Sequence, residues 1–173
     1  MKTRLFVALA PLLVLAACSG GASAEDTITG TTAEVLEQLI ERAGEAEESP
    51  PAAVAPVASA DAQQMLGLSS AEFDELVAEA TAAQPLIGTF AHEVAVVKVK
   101  ETAVAADVAA KMAAGFDSAK WVCVVPDKSV ILVSGSYILL AASQASTVDA
   151  FVAAFQGLAQ DNAGTLDTFY TKA

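Results

Sequence analysis

The sequence predicts an α+β domain: a small, mostly antiparallel sheet, ordered β-α-β-β-β-α after residue 90, with helices packed on one side and further helices preceding it. Three observations predict this. Valine-dense runs of strand length begin at His92, short turn formers (Pro126-Asp127-Lys128, Gly135-Ser136) separate the later runs, and alanine-rich segments with helical apolar spacing lie between and before them. A chain of 173 residues suits one domain. Its core is smaller than the 54% hydrophobic content implies, because 39 residues are alanines, which remove little surface from water.

At the N-terminus, Lys2 and Arg4 precede the apolar run Leu5 to Ala17, and Cys18-Ser19-Gly20-Gly21 follows, the pattern of a secretory signal peptide over residues 1–17. The apolar run is shorter than the roughly 20 helical residues that a membrane span requires. Residues 18–30 are small and polar and read as a tether. The folded domain is expected over residues 31–160. Thr31 and Glu34 have capping-box spacing, and Val35, Leu36, Leu39 and Ile40 recur with helical period, which predicts a first helix over residues 33–47. Ser49-Pro50-Pro51 breaks it, and the uncharged Ala-Val-Pro segment up to Ser59 suits an extended strip with Val54 and Val57 against a core. Two helical pieces follow, residues 60–65 and, behind a Ser69/Glu72 capping box, residues 70–80.

Residues 92–100 form the first predicted strand and residues 101–116 a helix closed near Gly115. Residues 121–125, 129–134 and 137–142 are read as three further strands of a meander. Ser146 or Thr147 caps a last helix with Val148, Phe151, Val152 and Phe155 on its apolar face, and residues 161–173 are expected to fray.

Leu15-Ala16-Ala17-Cys18 resembles the bacterial lipobox. The resemblance implies that Cys18 carries a diacylglyceryl thioether and begins the mature chain, which is then extracytoplasmic and held on the cell membrane through its lipid anchor. Loss of residues 1–17 removes Lys2 and Arg4 and leaves 7 cations against 21 anions, a net charge of −14. Nucleic acid is thereby excluded as a partner. With Cys18 acylated, Cys123 has no disulfide partner and is expected as a small buried hydrophobe.

Val94-Ala95-Val96-Val97-Lys98-Val99-Lys100, then Lys120-Trp121-Val122-Cys123-Val124, then Gly135-Ser136-Tyr137-Ile138-Leu139-Leu140, together with the Met65-Leu66-Gly67-Leu68 element, resemble a family of bacterial lipoproteins catalogued as domain of unknown function 4358. The resemblance spans residues 39–158. It implies an envelope lipoprotein with an α+β domain that includes the Pro-Ala stretch over residues 50–59, and it carries no activity across.

Few residues offer chemistry. His92 is the only histidine, and Cys123 the only cysteine left unlipidated, and they lie on different predicted strands, so neither a Cys-His nucleophile pair nor a three- or four-ligand zinc site is expected. There is no glycine-rich phosphate loop, and Ser134-Gly135-Ser136 reads as a turn. Neither a cofactor nor a metal is called for. Residues 25–80 hold 13 acids and only one base, Arg42, and their spacing reads as a solvated, repulsive surface.

The candidate ligand-facing residues are Lys98, Lys100, Lys120 and Trp121, which frame a patch for an anionic or sugar-like ligand if their strands are neighbours. The same residues also read as a core-capping tryptophan and as lysines guarding a sheet edge. The functional expectation is a non-enzymatic binding module whose partner is an envelope protein or a cell-wall polymer. Its alternatives are an accessory subunit of polysaccharide O-acyltransfer or other cell-wall modification, and an envelope hydrolase.

Overall fold

In the computed structural model, which describes residues 26–44, 52–86, 89–160 and 166–172, capping chemistry sets two helix starts where the sequence predicts them. Thr31 Oγ1 accepts the Glu34 N–H while the Glu34 carboxylate accepts the Thr31 N–H, which opens α1 (Thr32–Ala43). The extended strip is β1 (Ala52–Pro56), followed by a 3₁₀ turn at Ser59–Asp61 and by α2 (Ala62–Leu66). The reciprocal pair Ser69 and Glu72 opens α3 (Ser70–Leu76). The remaining elements are β2 (Val77–Pro85), β3 (Glu93–Val99), α4 (Ala105–Gly115), β4 (Lys128–Ser134), β5 (Tyr137–Ser143), α5 (Ala145–Ala159) and β6 (Leu166–Thr171).

The protein is α+β: the described residues form a six-stranded antiparallel sheet, in the order β1-β2-β3-β5-β4-β6, with five helices packed against it. The helices lie on both faces, not on one. Ala95, Val97, Val99, Ile138 and Leu140 pack with α2 and α4, whereas Val94, Val96, Leu132 and Leu139 pack with α1 and α5. The reason is visible in β3 and β5, which are apolar at nearly every position instead of alternating, the pattern of strands covered on both sides.

Other expectations are corrected by pairing. Residues 121–125 form no strand: β3 is flanked by β2 and β5, and β4 by β5 and β6, so neither of these strands has a free side to pair with them. The tail expected to fray contains β6, which takes the edge of β4 and brings Phe169 onto Phe116, with ring centroids 5.7 Å apart. The helix expected over residues 70–80 stops at Leu76, and the alanine-rich Val77–Pro85 becomes β2 between β1 and β3. Tertiary pairing overrides its weak strand propensity. Of the two valines expected on the core, Val57 is buried and Val54 is exposed.

Two glycines fix the join of α2 to α4. Gly67 caps α2 at φ 75°, and a Cβ there would lie 2.4 Å from the Phe116 backbone nitrogen; one on Gly115 would lie 2.1 Å from the Gly67 carbonyl oxygen. Two backbones thus touch where no side chain fits.

Candidate functional site

The sheet has two poles. The starts of β3 and β4 and the end of β5 lie at one; the β4–β5 hairpin and the end of β3 lie at the other. This separates the four candidate residues into two pairs. Lys98 stands 4.9 Å over the Tyr137 ring, and Lys100 donates to the Asp74 carbonyl at 2.5 Å, both at the hairpin pole. Lys120 and Trp121 belong with Glu93 at the other end of β3, about 17 Å away at the usual strand rise. The four frame no common patch.

Lys120 is occupied internally. Its ammonium donates to Glu93 Oε2 at 2.7 Å and to the Gln64 carbonyl at 2.8 Å, and it sits 4.2 Å over Phe116 and 4.9 Å over Trp121. Gln84 donates to the same Glu93 oxygen at 2.8 Å, while Glu93 Oε1 is buried without a partner among the described residues. Burial pushes the Glu93 carboxyl above its ordinary range and the Lys120 ammonium below its own, and the attraction between them opposes both shifts. Trp121 packs on the core beside Phe116. A carboxylate heading a valine-rich strand was the available sign of this buried pair.

The cleft at this pole is built by three segments. Thr89–His92 leads into β3, Val124–Asp127 leads into β4, and Ser143-Gln144 joins β5 to α5; together they enclose about 230 Å³. His92 is buried at 4% exposure, with Nδ1 3.0 Å from Ser143 Oγ. Asp127 N–H donates to the Ser143 carbonyl and Lys172 N–H to the Asp127 carbonyl, each at 2.9 Å, so backbone bonds hold the floor. Burial lowers the His92 pKa below 6.5, which keeps the ring neutral at neutral pH, with one donor and one acceptor nitrogen. Among the described residues the lining contains no lysine or arginine. Phe90 at the rim is 42% exposed, and Leu86 and Val122, at 69% and 79%, extend the apolar surface of this pole.

The histidine therefore meets Ser143, not Cys123. Cys123, expected to be buried, is exposed at φ 63° in the loop between α4 and β4, because that loop joins no strand. A hydroxyl–imidazole contact at a strand-to-helix junction is half of a nucleophile relay; among the described residues no carboxylate bonds the His92 ring to orient it. No group of three or more His, Cys, Asp or Glu that could hold a metal exists among the described residues. A shallower hollow between α1 and α5 is lined by Arg42, Gly157 and alanines.

At the hairpin pole, residues 26–30, assigned by sequence to the tether, are packed. The Asp26 carboxylate accepts the Ser136 N–H and hydroxyl, each at 2.6 Å, Thr27 donates to the Ala159 carbonyl, and Ile28 is buried. The Tyr137 hydroxyl closes this strap by donating to the Gly30 carbonyl at 2.6 Å. Cys18 and the signal segment lie outside the described residues, and no described helix is long and apolar enough to cross a membrane. No protein-family model, curated protein or solved structure matches the chain.

Proposed function

We propose that this chain is an envelope lipoprotein of the family it resembles, anchored through Cys18, whose domain is a non-enzymatic binding module that meets an envelope protein or wall polymer with its cleft pole. The observation that carries the reading is polar opposition. Asp26, eight residues beyond Cys18, is clasped to Ser136 at the hairpin, whereas the cleft and the exposed Phe90 and Val122 lie at the far end of the sheet. The seven residues of β5 separate the poles by about 20 Å. The eight residues back to Cys18 reach at most about 30 Å. An anchor there attaches at the hairpin pole, the end of the sheet opposite the cleft.

Mass spectrometry of the mature N-terminus tests the anchor; a freely released, unacylated chain rules it out. A photo-crosslinker at Val122 tests the surface, with Ile40 on α1 as control. One recurrent adduct from Val122 and none from Ile40 supports the reading, and equal, scattered adducts refute it. If that adduct is a membrane-bound acyltransferase, the accessory-subunit form of the proposal follows. The Ser143–His92 contact favours a second reading, a serine hydrolase. Labelling of Ser143 by a fluorophosphonate would move the assignment to that reading.

A further inference from the structure

We propose that the cleft between Thr89–His92 and Val124–Asp127 binds one neutral sugar ring, stacked on Phe90 and hydrogen-bonded by His92, Asp127 and Gln144. This rests on the reading of the cleft pole as the binding surface and names its ligand class.

Size comes first. At about 230 Å³ the cleft falls below the roughly 300 Å³ at which pockets for drug-sized molecules begin, so it accommodates a single ring and not an extended chain. Charge comes second. Among the described residues no lysine or arginine lines the cleft, and the expected mature chain carries a net charge of −14, so an anionic ligand meets a repulsive field with no counter-charge in the lining. A cation is no better served: among the described residues Asp127 is the one carboxylate of the lining, and Lys172 Nζ already lies 3.6 Å from it. Polarity comes third. A purely apolar ligand would strip water from His92, Asp127 and Gln144 without replacing its hydrogen bonds.

A sugar hydroxyl both donates and accepts, and the lining answers in kind. The carboxylate of Asp127 accepts, the amide of Gln144 does both, and a neutral imidazole tied through Nδ1 to Ser143 keeps its second nitrogen for a ligand. Among the described residues the side chain of Gln144 makes no cap bond at the start of α5. Phe90 adds an exposed aromatic face, which suits the C–H face of a pyranose.

The test is saturation-transfer NMR on the full mature chain with methyl glucoside, methyl galactoside and N-acetylglucosamine, and with glucuronate and glucose 6-phosphate as anionic counterparts. The expected result is saturable transfer from at least one neutral sugar, at least tenfold weaker binding of the anionic analogues, and at least tenfold weakening in Phe90→Ala. Gln144→Leu supplies the second variant should Phe90→Ala lose its fold, because the Gln144 side chain makes no cap bond. No saturation by any neutral sugar into the tens of millimolar, equal binding of the anions, or an unaltered signal in both variants overturns the proposal. A recurrent protein adduct at Val122 together with absent sugar binding overturns the sugar alone and leaves the binding module standing.

Discussion

Replacing Lys120 by methionine removes the cation that faces Glu93 and keeps an unbranched stem against Phe116 and Trp121. The two side chains are 8% and 0% exposed, so water does not take the place of the ammonium. Glu93 Oε2 would retain only Gln84, and Oε1 already lacks a partner among the described residues. Stranding one member of a buried pair costs about 3–5 kcal/mol. For a domain of this length that is a fall of about 6–20 °C in Tm, at about 2–4 °C per kcal/mol. Glu93→Gln combined with Lys120→Met keeps an acceptor for Gln84 without a charge, and the double variant is expected within about 1 kcal/mol of the parent. Denaturant unfolding followed by circular dichroism, run as a double-mutant cycle, measures both. A loss below about 1 kcal/mol in Lys120→Met, the value of an exposed ion pair, would refute the reasoning, as would a double variant no better than the single. The same variants bear on the sequence expectation that Lys120 faces a ligand: a structural lysine outside the cleft leaves sugar binding unchanged wherever the fold survives.

Three further outcomes follow from the geometry. Gly67→Ala forces a Cβ to 2.4 Å from the Phe116 backbone nitrogen at a left-handed φ, and thermal unfolding is expected to register a loss of about 2–5 kcal/mol; a loss under about 1 kcal/mol would show that α2 and α4 can move apart. Asp26→Ala removes a carboxylate that accepts two bonds from Ser136, with an expected cost of about 1.5–3 kcal/mol and faster proteolysis near residues 26–30; unchanged proteolysis would mean that the strap is held by Ile28 alone. The folded-state pKa of His92 lies below its unfolded value of 6.5, so the unfolded chain binds the extra proton and stability falls as pH drops from about 6.5 toward the folded pKa; Glu93, raised above 4.5, acts in the opposite direction, stabilising at low pH and losing that contribution as pH rises. His92→Gln, which keeps a partner for Ser143, removes only the first dependence, and an unaltered pH profile in that variant would assign the acid loss elsewhere.

The elements written in local code were legible. The two capping boxes, the apolar stripes of α1 and α5, the valines of β3 and the Gly135-Ser136 hairpin each depend on residues within a few positions of one another, and each forms where its residues predict it. The valines of residues 121–125 carry the same strand signal, yet form none, because pairing is a property of two segments and both neighbours of β4 are taken. Alanine-rich β2 shows the converse, a strand made by its partners. The candidate site failed in the same way: Lys98 and Lys120 are equivalent as letters, and only the fold separates a β3 lysine at the hairpin pole from a loop lysine buried against Glu93 at the other end of that strand.

The amino-acid order by itself determined the α+β class, the starts of α1 and α3, the acidic charge and the expectation of an acylated Cys18, since composition and short-range spacing suffice for these; α5, expected behind Ser146 or Thr147, starts at Ala145 behind Gln144. The tertiary structure alone decided that helices cover both faces, that β6 closes one edge, that His92 meets Ser143, and that the strap and the cleft lie at opposite poles. Those facts join residues up to 132 positions apart, and no local propensity encodes which distant partner a strand edge or a buried polar group will find.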